Sequence, residues 1–263
     1  MKKVLFLLLA IFGIFYFYQE NIFAMTADEI VTKANRVAYY SGSDGRAHVK
    51  MVVTDKQGRE RVREFVILRK NEPGTGEQKY YVYFQKPEDV RGMVYMVWKH
   101  LSRDDDRWLY LPALDLVRRV SSSDKRSSFV GSNFVYEDIS GRGLNEDEHV
   151  LLEETDLYYK VGNTPRDKNA VEFDHYDVWI DRKTYMPVKA QYFDVGNKLI
   201  KEIEALKVEE VKGYPTVIKS IARDKVSGGS TVSEFSGIDY DIGLTDDIFT
   251  ERYLRRPAQK WLE

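Results

Sequence analysis

Two short segments contain residue types that could support catalysis. Asp104-Asp105-Asp106 could bind a metal ion or supply a pair of carboxylates for acid–base work. The run falls between two predicted strands, however, where consecutive acids are more typical of a solvated turn. Ser132 lies in Val130-Gly131-Ser132-Asn133, which lacks the Gly-x-Ser-x-Gly pattern of a nucleophile elbow. Neither segment predicts a catalytic site.

The histidines do not pair at the spacing of zinc ligands. His175 lies between Asp174 and Asp177, but the alternation of a strand points these three side chains toward both of its faces. No Gly-rich phosphate loop is present. We therefore predict no catalytic residue, no metal site and no cofactor, and keep an enzyme with an unrecognised site as a minor hypothesis. The chain has four histidines: His48, His100, His149 and His175.

Composition narrows the class of protein further. The chain has 263 residues, with 40 Lys and Arg against 42 Asp and Glu, for a formal net charge of −2. This balance gives no reason to expect a nucleic-acid partner, which normally requires a cationic excess. The hydrophobic fraction of 43% is enough to form a core. The absence of Cys excludes disulfides, thiolate metal sites and thiol nucleophiles.

Residues 1–24 have the pattern of a cleavable secretory signal peptide. Lys2 and Lys3 are followed by an apolar run from Val4 to Tyr18, then by polar residues and the small residue Ala24. The alternative is an uncleaved anchor, but a membrane-spanning helix needs about 20 apolar residues. We therefore predict that the mature chain, residues 25–263, is soluble outside the cytoplasm. It contains no linker or internal repeat, so we expect a single domain.

The elements of the mature chain are one helix followed by strands. Thr26 is a predicted N-cap, and apolar residues at helical spacing predict a helix over 26–40. Turn sequences then separate short β-rich segments, and 163–165 is one of the predicted turns. This pattern favours one large, curved antiparallel sheet or barrel. The predicted strands are 46–54, 60–69, 79–86, 92–99, 106–112, 115–120, 149–161, 172–181, 186–195, 198–210, 214–224 and 230–241.

Three predicted strands are apolar or amphipathic on both faces: 80–84, 93–98 and 108–111. Elsewhere apolar and polar residues alternate, as in a sheet with one wet face. One interpretation is that these strands are central and covered on both sides, by the N-terminal helix and the irregular segment 121–148. The other is that one of their faces lines an apolar cavity, because Met and Tyr adapt to ligands of variable shape.

Four motifs stand out in the segment 91–138: Arg91-Gly92, the run from Asp106 to Ala113, Arg118-Arg119-Val120 and the run from Ser128 to Asp138. In these motifs the segment resembles the LolA-like family of outer-membrane lipoprotein-sorting proteins. Asp247-Ile248-Phe249-Thr250 near the end of the chain is also similar. The resemblance implies a mainly β (α+β) fold: an incomplete, strongly curved antiparallel β-barrel with a helical lid over its concave apolar face. The helix at 26–40 and helical pieces of 121–148 would form this lid.

The resemblance also implies a function. The protein would be a periplasmic carrier or chaperone that holds the acyl chains of lipoproteins or lipids and moves them toward the outer membrane, without catalysing a reaction. Its partners would be that cargo, with an inner-membrane exporter complex and an outer-membrane acceptor, and we expect a monomer. The alternative is a periplasmic binding or sensor module of the same fold, which acts with a membrane exporter or an envelope-stress regulator.

The strand pattern and the family resemblance together indicate candidate site residues. Three polar residues match the family segment and are expected to fix the lid or brace a loop: Arg107, Arg119 and Asp138. The face of each strand that lines the cavity stays open, since a shift of one residue exchanges the two faces. The candidates for the apolar ligand-binding surface are Tyr81, Tyr83, Met93, Tyr95, Trp98, Trp108, Tyr110 and Phe134.

Overall fold

The computed structural model describes residues 25–263, so the predicted signal peptide lies outside the described residues. Helix α1 spans Ala27–Tyr39. The hydroxyl of Thr26 accepts a hydrogen bond from the Glu29 backbone, and the Glu29 carboxylate accepts one from the Thr26 backbone at 2.8 Å. This reciprocal capping box satisfies two backbone donors at the helix N-terminus. The predicted N-terminal helix is confirmed.

Thirteen strands form one antiparallel sheet in the order β6-β5-β4-β3-β2-β1-β13-β12-β11-β10-β9-β8-β7. The predicted curved, open barrel with a helical lid is confirmed. The strands are β1 (Asp44–Thr54), β2 (Glu60–Asn71), β3 (Gln78–Lys86), β4 (Val94–Lys99), β5 (Asp106–Leu111), β6 (Leu116–Arg119), β7 (Asp147–Glu154), β8 (Tyr158–Pro165), β9 (His175–Asp181), β10 (Pro187–Phe193), β11 (Leu199–Val211), β12 (Tyr214–Asp224) and β13 (Ser230–Tyr240).

The sheet consists of two meanders joined at its centre. Strands β1 to β6 run outward to one edge, and β7 to β13 return from the other edge until β13 pairs with β1. Short hairpin turns connect neighbouring strands within the meanders. At the β11–β12 turn, for example, Lys212 and Gly213 have φ values of 50° and 84°, as a two-residue turn of this kind requires. The two outer strands, β6 and β7, do not pair with each other.

Residues 120–146, here called the crossover segment, connect the two edges of the sheet. The segment contains helix α2 (Tyr136–Ser140) and short 3-10 turns at Ser122–Arg126 and Leu144–Glu146. The buried ammonium of Lys99 on β4 donates to the carbonyl oxygens of Ser140 and Gly141, at 2.7 and 2.5 Å. These charge-assisted hydrogen bonds hold the end of α2 against the sheet.

The crossover segment also fills the concave face of the first meander. Phe129 is fully buried, and its ring lies 6.0 Å from that of Phe65, 5.8 Å from those of Phe84 and Tyr95, and 5.4 Å from that of Tyr136. Edge-to-face and tilted rings at these distances form a dense aromatic core. The aromatic core therefore closes the concave face over β4 and the adjoining half of β3.

The C-terminal segment, residues 242–263, covers the opposite, convex face of the same strands. It contains helix α3 (Glu251–Arg255). Its buried residues Phe249 and Leu254 pack with Tyr81 and Trp108. The Tyr81 hydroxyl donates to the carbonyl oxygen of Tyr253 at 2.7 Å. Strands β3 to β5 are thus a central layer, covered by protein on both faces.

Two details of the predicted strand pattern are wrong. The segment 149–161 is a hairpin rather than one strand, because the Thr155 hydroxyl accepts hydrogen bonds from the backbone N–H groups of Leu157 and Tyr158 and reverses the chain. The predicted turn at 163–165 instead belongs to β8, where Pro165 pairs with Asp147. Proline is tolerated there because it lies at the end of the strand.

Candidate functional site

A cavity of about 500 Å³ lies between α1, the crossover segment and the concave face of the sheet, where the second meander and strands β1 to β3 form its wall. Val178, Ala190 and Ile203 contribute to its wall as one cross-strand row on β9, β10 and β11. All three are only half-buried. Further apolar wall residues are Met51, Ile180, Ala205, Val217, Phe235 and Ile238.

Helix α1 forms the cover of this cavity. Its buried residues Ile30 and Ala34, one turn apart, pack on Tyr159, Val161 and Ile180 of the sheet. Other apolar residues on this side of α1 face the cavity. The helix thus closes the space with an apolar surface and leaves its charged face in solvent. The residues of α1 that line the cavity are Val31, Ala34, Asn35, Val37, Ala38 and Tyr39.

One end of the cavity is polar and is centred on Glu137 of α2, which is only 2% exposed. Its carboxylate lies 3.0 Å from Lys125, 2.9 Å from Arg126 and 3.4 Å from Arg142. Burial alone would raise the pKa of Glu137. The attraction of Lys125, Arg126 and Arg142 outweighs this effect and lowers the pKa to about 2. The carboxylate is therefore ionised at neutral pH.

The remaining polar groups of this end are partnered within the protein. Arg142 donates to both carboxylate oxygens of Asp147, at 3.0 and 2.9 Å, and the Tyr176 hydroxyl donates to Asp147 at 2.7 Å. Burial, followed by the negative charge of Asp147, raises the pKa of Tyr176. Because these groups already satisfy one another, the polar end does not need a ligand charge to be stable.

Comparison with known proteins places this fold in a family. A family model described as an uncharacterized protein matches residues 76–256, which is more than half of the chain. A solved structure of a DUF1329 family protein from Desulfovibrio piger is 28% identical, covers 87% of this chain and 97% of that chain, and has a TM-score of 0.79. This chain belongs to the DUF1329 family.

Two further structures connect this DUF1329 protein with the predicted LolA-like fold. A domain from Vibrio parahaemolyticus, described as an outer membrane lipoprotein-sorting protein, is 26% identical, with coverage of 88% of this chain and 98% of that chain and a TM-score of 0.78. A LolA superfamily protein from Nitrosomonas europaea is 22% identical, with coverage of 88% and 100% and a TM-score of 0.67. The predicted resemblance is confirmed. No curated protein sequence matches this chain.

Most of the sequence-predicted apolar residues lie on the convex face rather than at the cavity. They pack against the C-terminal segment of this DUF1329 protein. The indole N–H of Trp98, for example, donates to the carbonyl oxygen of Phe249 at 2.8 Å. This placement follows from the double coverage of β3 to β5. The residues on this face are Tyr81, Tyr83, Trp98, Trp108 and Tyr110.

The other three predicted residues lie on the concave side. Met93 and Tyr95 are buried in the aromatic core under Phe129, so they do not reach the cavity. Phe134 is partly buried at the border of that core and lines the cavity. Of the eight predicted residues, the structure therefore brings only Phe134 to the cavity wall.

The three predicted polar residues have different positions. Asp138 lies at the cavity and pairs with Lys201 of β11 at 2.9 Å, which connects α2 to the second meander. Arg107 is buried and pairs with Asp105 at 2.6 Å. Arg119 pairs with Asp106 and lies over the ring of Trp108. Asp138 thus links the crossover segment to the sheet, whereas the two arginines brace the loop before β5.

Sequence reasoning missed the second meander as a cavity wall, although β11 contains a usable signal. Ile203 and Ala205 alternate with Glu202 and Glu204, so one face is apolar and the other is charged. The signal is weak because this alternation is typical of any amphipathic strand, whether or not its apolar face lines a cavity.

Within residues 25–263, no group of three or more His, Asp or Glu side chains is arranged to hold a metal ion. No helix in the same range is both long and apolar enough to cross a membrane.

Proposed function

We propose that this protein is a periplasmic carrier that binds the acyl chains of lipoproteins or lipids in the cavity between α1, the crossover segment and the second meander. The observation that carries the proposal is the half-buried apolar wall on β9 to β13, under a helix that offers an apolar face. A volume of about 500 Å³ is within the usual range of ligand pockets. The similar lipoprotein-sorting domain supports the same class of cargo.

The energetic need for such a carrier is large. Each methylene exposed to water costs about 0.8 kcal/mol, so an acyl chain of about 15 methylenes costs on the order of 12 kcal/mol. An acylated molecule therefore does not cross an aqueous compartment unshielded. The carrier must bury the chain and still release it, which favours a cavity with a movable cover over a perfectly complementary one.

The way α1 is attached suggests where the cavity opens. Its C-terminal end is tied to the sheet, since Arg69 and Gln78 donate to the carbonyl oxygen of Tyr39 at 2.8 and 2.7 Å. Its N-terminal half is held by apolar packing through Ile30. Between residues 25 and 263, no ion pair joins α1 to the sheet. We infer that the N-terminal half of α1 moves to admit the chain, with the Tyr39 end as the pivot.

A charge introduced at the cavity wall tests the site. In Ile203→Asp, an acyl chain would have to be buried against an unpaired carboxylate, which costs several kcal/mol. We expect the affinity for a fluorescent fatty-acyl probe to fall by at least tenfold. The matched control is Leu206→Asp on the same strand, because Leu206 is exposed and does not line the cavity. Equal affinities of the two variants and the wild type would remove the cavity as the binding site.

Location and partners belong to the same proposal. The predicted signal peptide at 1–24 would bring the chain to the periplasm, where residues 25–263 would act as a single domain. The donor of the cargo would be an inner-membrane exporter complex, and the acceptor would lie in the outer membrane. Fractionation of cells should find the processed chain in the periplasmic fraction. Unprocessed chain in the inner membrane would contradict this location.

A binding or sensor module is the second candidate. It is favoured by the free edge of the sheet at β7, where Val150, Leu152 and Leu157 are exposed and Leu157 is 75% exposed. Free edges and exposed apolar side chains are common features of protein contacts. Stable capture of a membrane protein by lipid-free protein, abolished by Leu152→Asp, would favour this function over the carrier.

A further inference from the structure

The C-terminal segment carries a concentrated positive charge. Residues 252–260 contain four cations and no acid, although the chain as a whole has a net charge of −2. Glu251, Arg252, Arg255 and Arg256 line one shallow hollow at the surface. Arg252, Arg256 and Lys260 form no ion pair with any residue between 25 and 263, although Arg252 is attracted to Asp247. The cations of this hollow outnumber its one acid by three to one.

Exposed leucines adjoin this positive surface. The Arg255 side chain pairs with Asp115 at 3.1 Å, which places α3 beside the turn between β5 and β6. In this turn Leu114 is 70% exposed, and the neighbouring Leu116 is also exposed. Cations next to exposed aliphatic side chains have the composition of a surface that binds at a membrane interface.

The surface is held rigidly by the fold. Leu254, between Tyr253 and Arg255, is fully buried on the convex face of the sheet. The ammonium of Lys260 lies 4.6 Å from the ring centroid of Trp261, which is half-buried. The backbone that carries the cations is therefore anchored to the sheet before any partner arrives, so that binding would not have to order the chain itself.

We propose that this surface docks the protein on a membrane rich in anionic phospholipid. It comprises Arg252, Arg255, Arg256, Lys260 and Leu114. The excess of cations complements the lipid phosphates, and the leucine supplies apolar contact. The C-terminal segment lies on the convex face, opposite the cavity. Docking therefore leaves α1 and the crossover segment free to move, and it requires no ligand in the cavity.

The test is flotation of the purified full chain with vesicles of phosphatidylglycerol and phosphatidylethanolamine, against vesicles of phosphatidylcholine alone. Binding to the anionic vesicles should weaken as salt rises from 0.1 to 1 M, since the screening length falls from about 10 to about 3 Å. Replacing Arg252, Arg256 and Lys260 together by Gln should reduce binding on the order of 100-fold. Leu114→Ser should reduce it less and independently of salt.

The matched control replaces three exposed lysines elsewhere, Lys56, Lys183 and Lys198, by Gln. It removes the same number of charges and should bind at least tenfold more tightly than the C-terminal variant. Equal loss in both variants would mean that only net charge matters, and it would overturn the proposal. So would equal binding to both kinds of vesicle. Because empty protein is used, failure here would leave the acyl-binding cavity untouched.

Discussion

The two meanders of the sheet differ in how their concave faces are covered. On β3, Val82 is completely buried under the crossover segment, whereas Val217 on β12 is half-buried and faces the cavity. The outer strands β4 and β5 of the first meander contribute no residue to the cavity wall, whereas every strand of the second meander contributes at least one. Coverage by the aromatic core around Phe129, rather than the type of apolar residue, therefore separates core from cavity, since Tyr176, Tyr192 and Phe235 also line the cavity.

The difference in coverage arises from the segment that lies over each meander. The crossover segment places Phe129 over the first meander, and α1 lies over β7, β8 and the adjoining cavity. Val178, Ala190 and Ile203 face the space between these two covers and are only half-buried. The cavity therefore exists because different segments cover the two meanders.

The largest expected effect on stability comes from a substitution in the aromatic core. Phe129→Ala removes the ring at the centre of the aromatic core and should lower the free energy of unfolding by about 3–5 kcal/mol. Phe134→Ala, in the same segment but at the cavity wall, should cost clearly less. Urea unfolding midpoints measure both. Equal losses would show that the two positions are equally packed. This result would contradict the difference in packing between the aromatic core and the cavity wall.

The charged end of the cavity, between the two halves, predicts a dependence on pH. The pKa of Glu137 is about 2 in the folded protein and 4.5 in the unfolded chain. Between these values the unfolded state binds more protons, so stability rises with pH. The contribution of Glu137 is fully present above pH 4.5 and is lost as pH falls toward 2, by about 3 kcal/mol.

Glu137→Gln provides the check on this assignment. The variant should be less stable than the wild type at pH 7, and the difference between the two should shrink as pH is lowered from 5 to 3. Unfolding midpoints at several pH values measure the difference. A difference that stays constant with pH would show that another carboxylate is responsible.

The smallest expected effect on stability is the difference between Val→Ala substitutions at two positions. Val82→Ala should lower the free energy of unfolding by about 2 kcal/mol, and Val217→Ala by less than about 1 kcal/mol, because Val217 has less contact area to lose. Only Val217→Ala should alter the affinity for an acyl probe. A change in probe affinity in Val82→Ala would contradict the separation of core and cavity.

Much of the architecture could be predicted from local patterns. Capping and spacing predicted α1, and turn residues separated most of the strands, because these signals act over a few residues. The hairpin at 155–157 was missed because its turn is made by Thr155 without Gly or Pro. Local patterns of this kind say nothing about which distant segment covers a strand.

The positions of the candidate site residues depended on such distant coverage. Strands β3 and β4 are apolar on both faces, so their alternation could not assign Tyr81 and Tyr95 to a side. The cover of the convex face comes from Phe249 and Leu254, more than 150 positions along the chain from Tyr81 and Tyr95 in numbering. That contact is a long-range one that no local pattern encodes.

Mass spectrometry of organic extracts is the most direct test of the acyl-binding cavity. The wild type and Ile203→Asp would be purified from the native envelope without detergent, and the acyl lipid or lipoprotein carried by each would be quantified. We expect acyl chains in a stoichiometric amount with the wild type and a strong depletion in Ile203→Asp. Equal amounts in the two proteins, or none in either, would contradict an acyl-binding cavity.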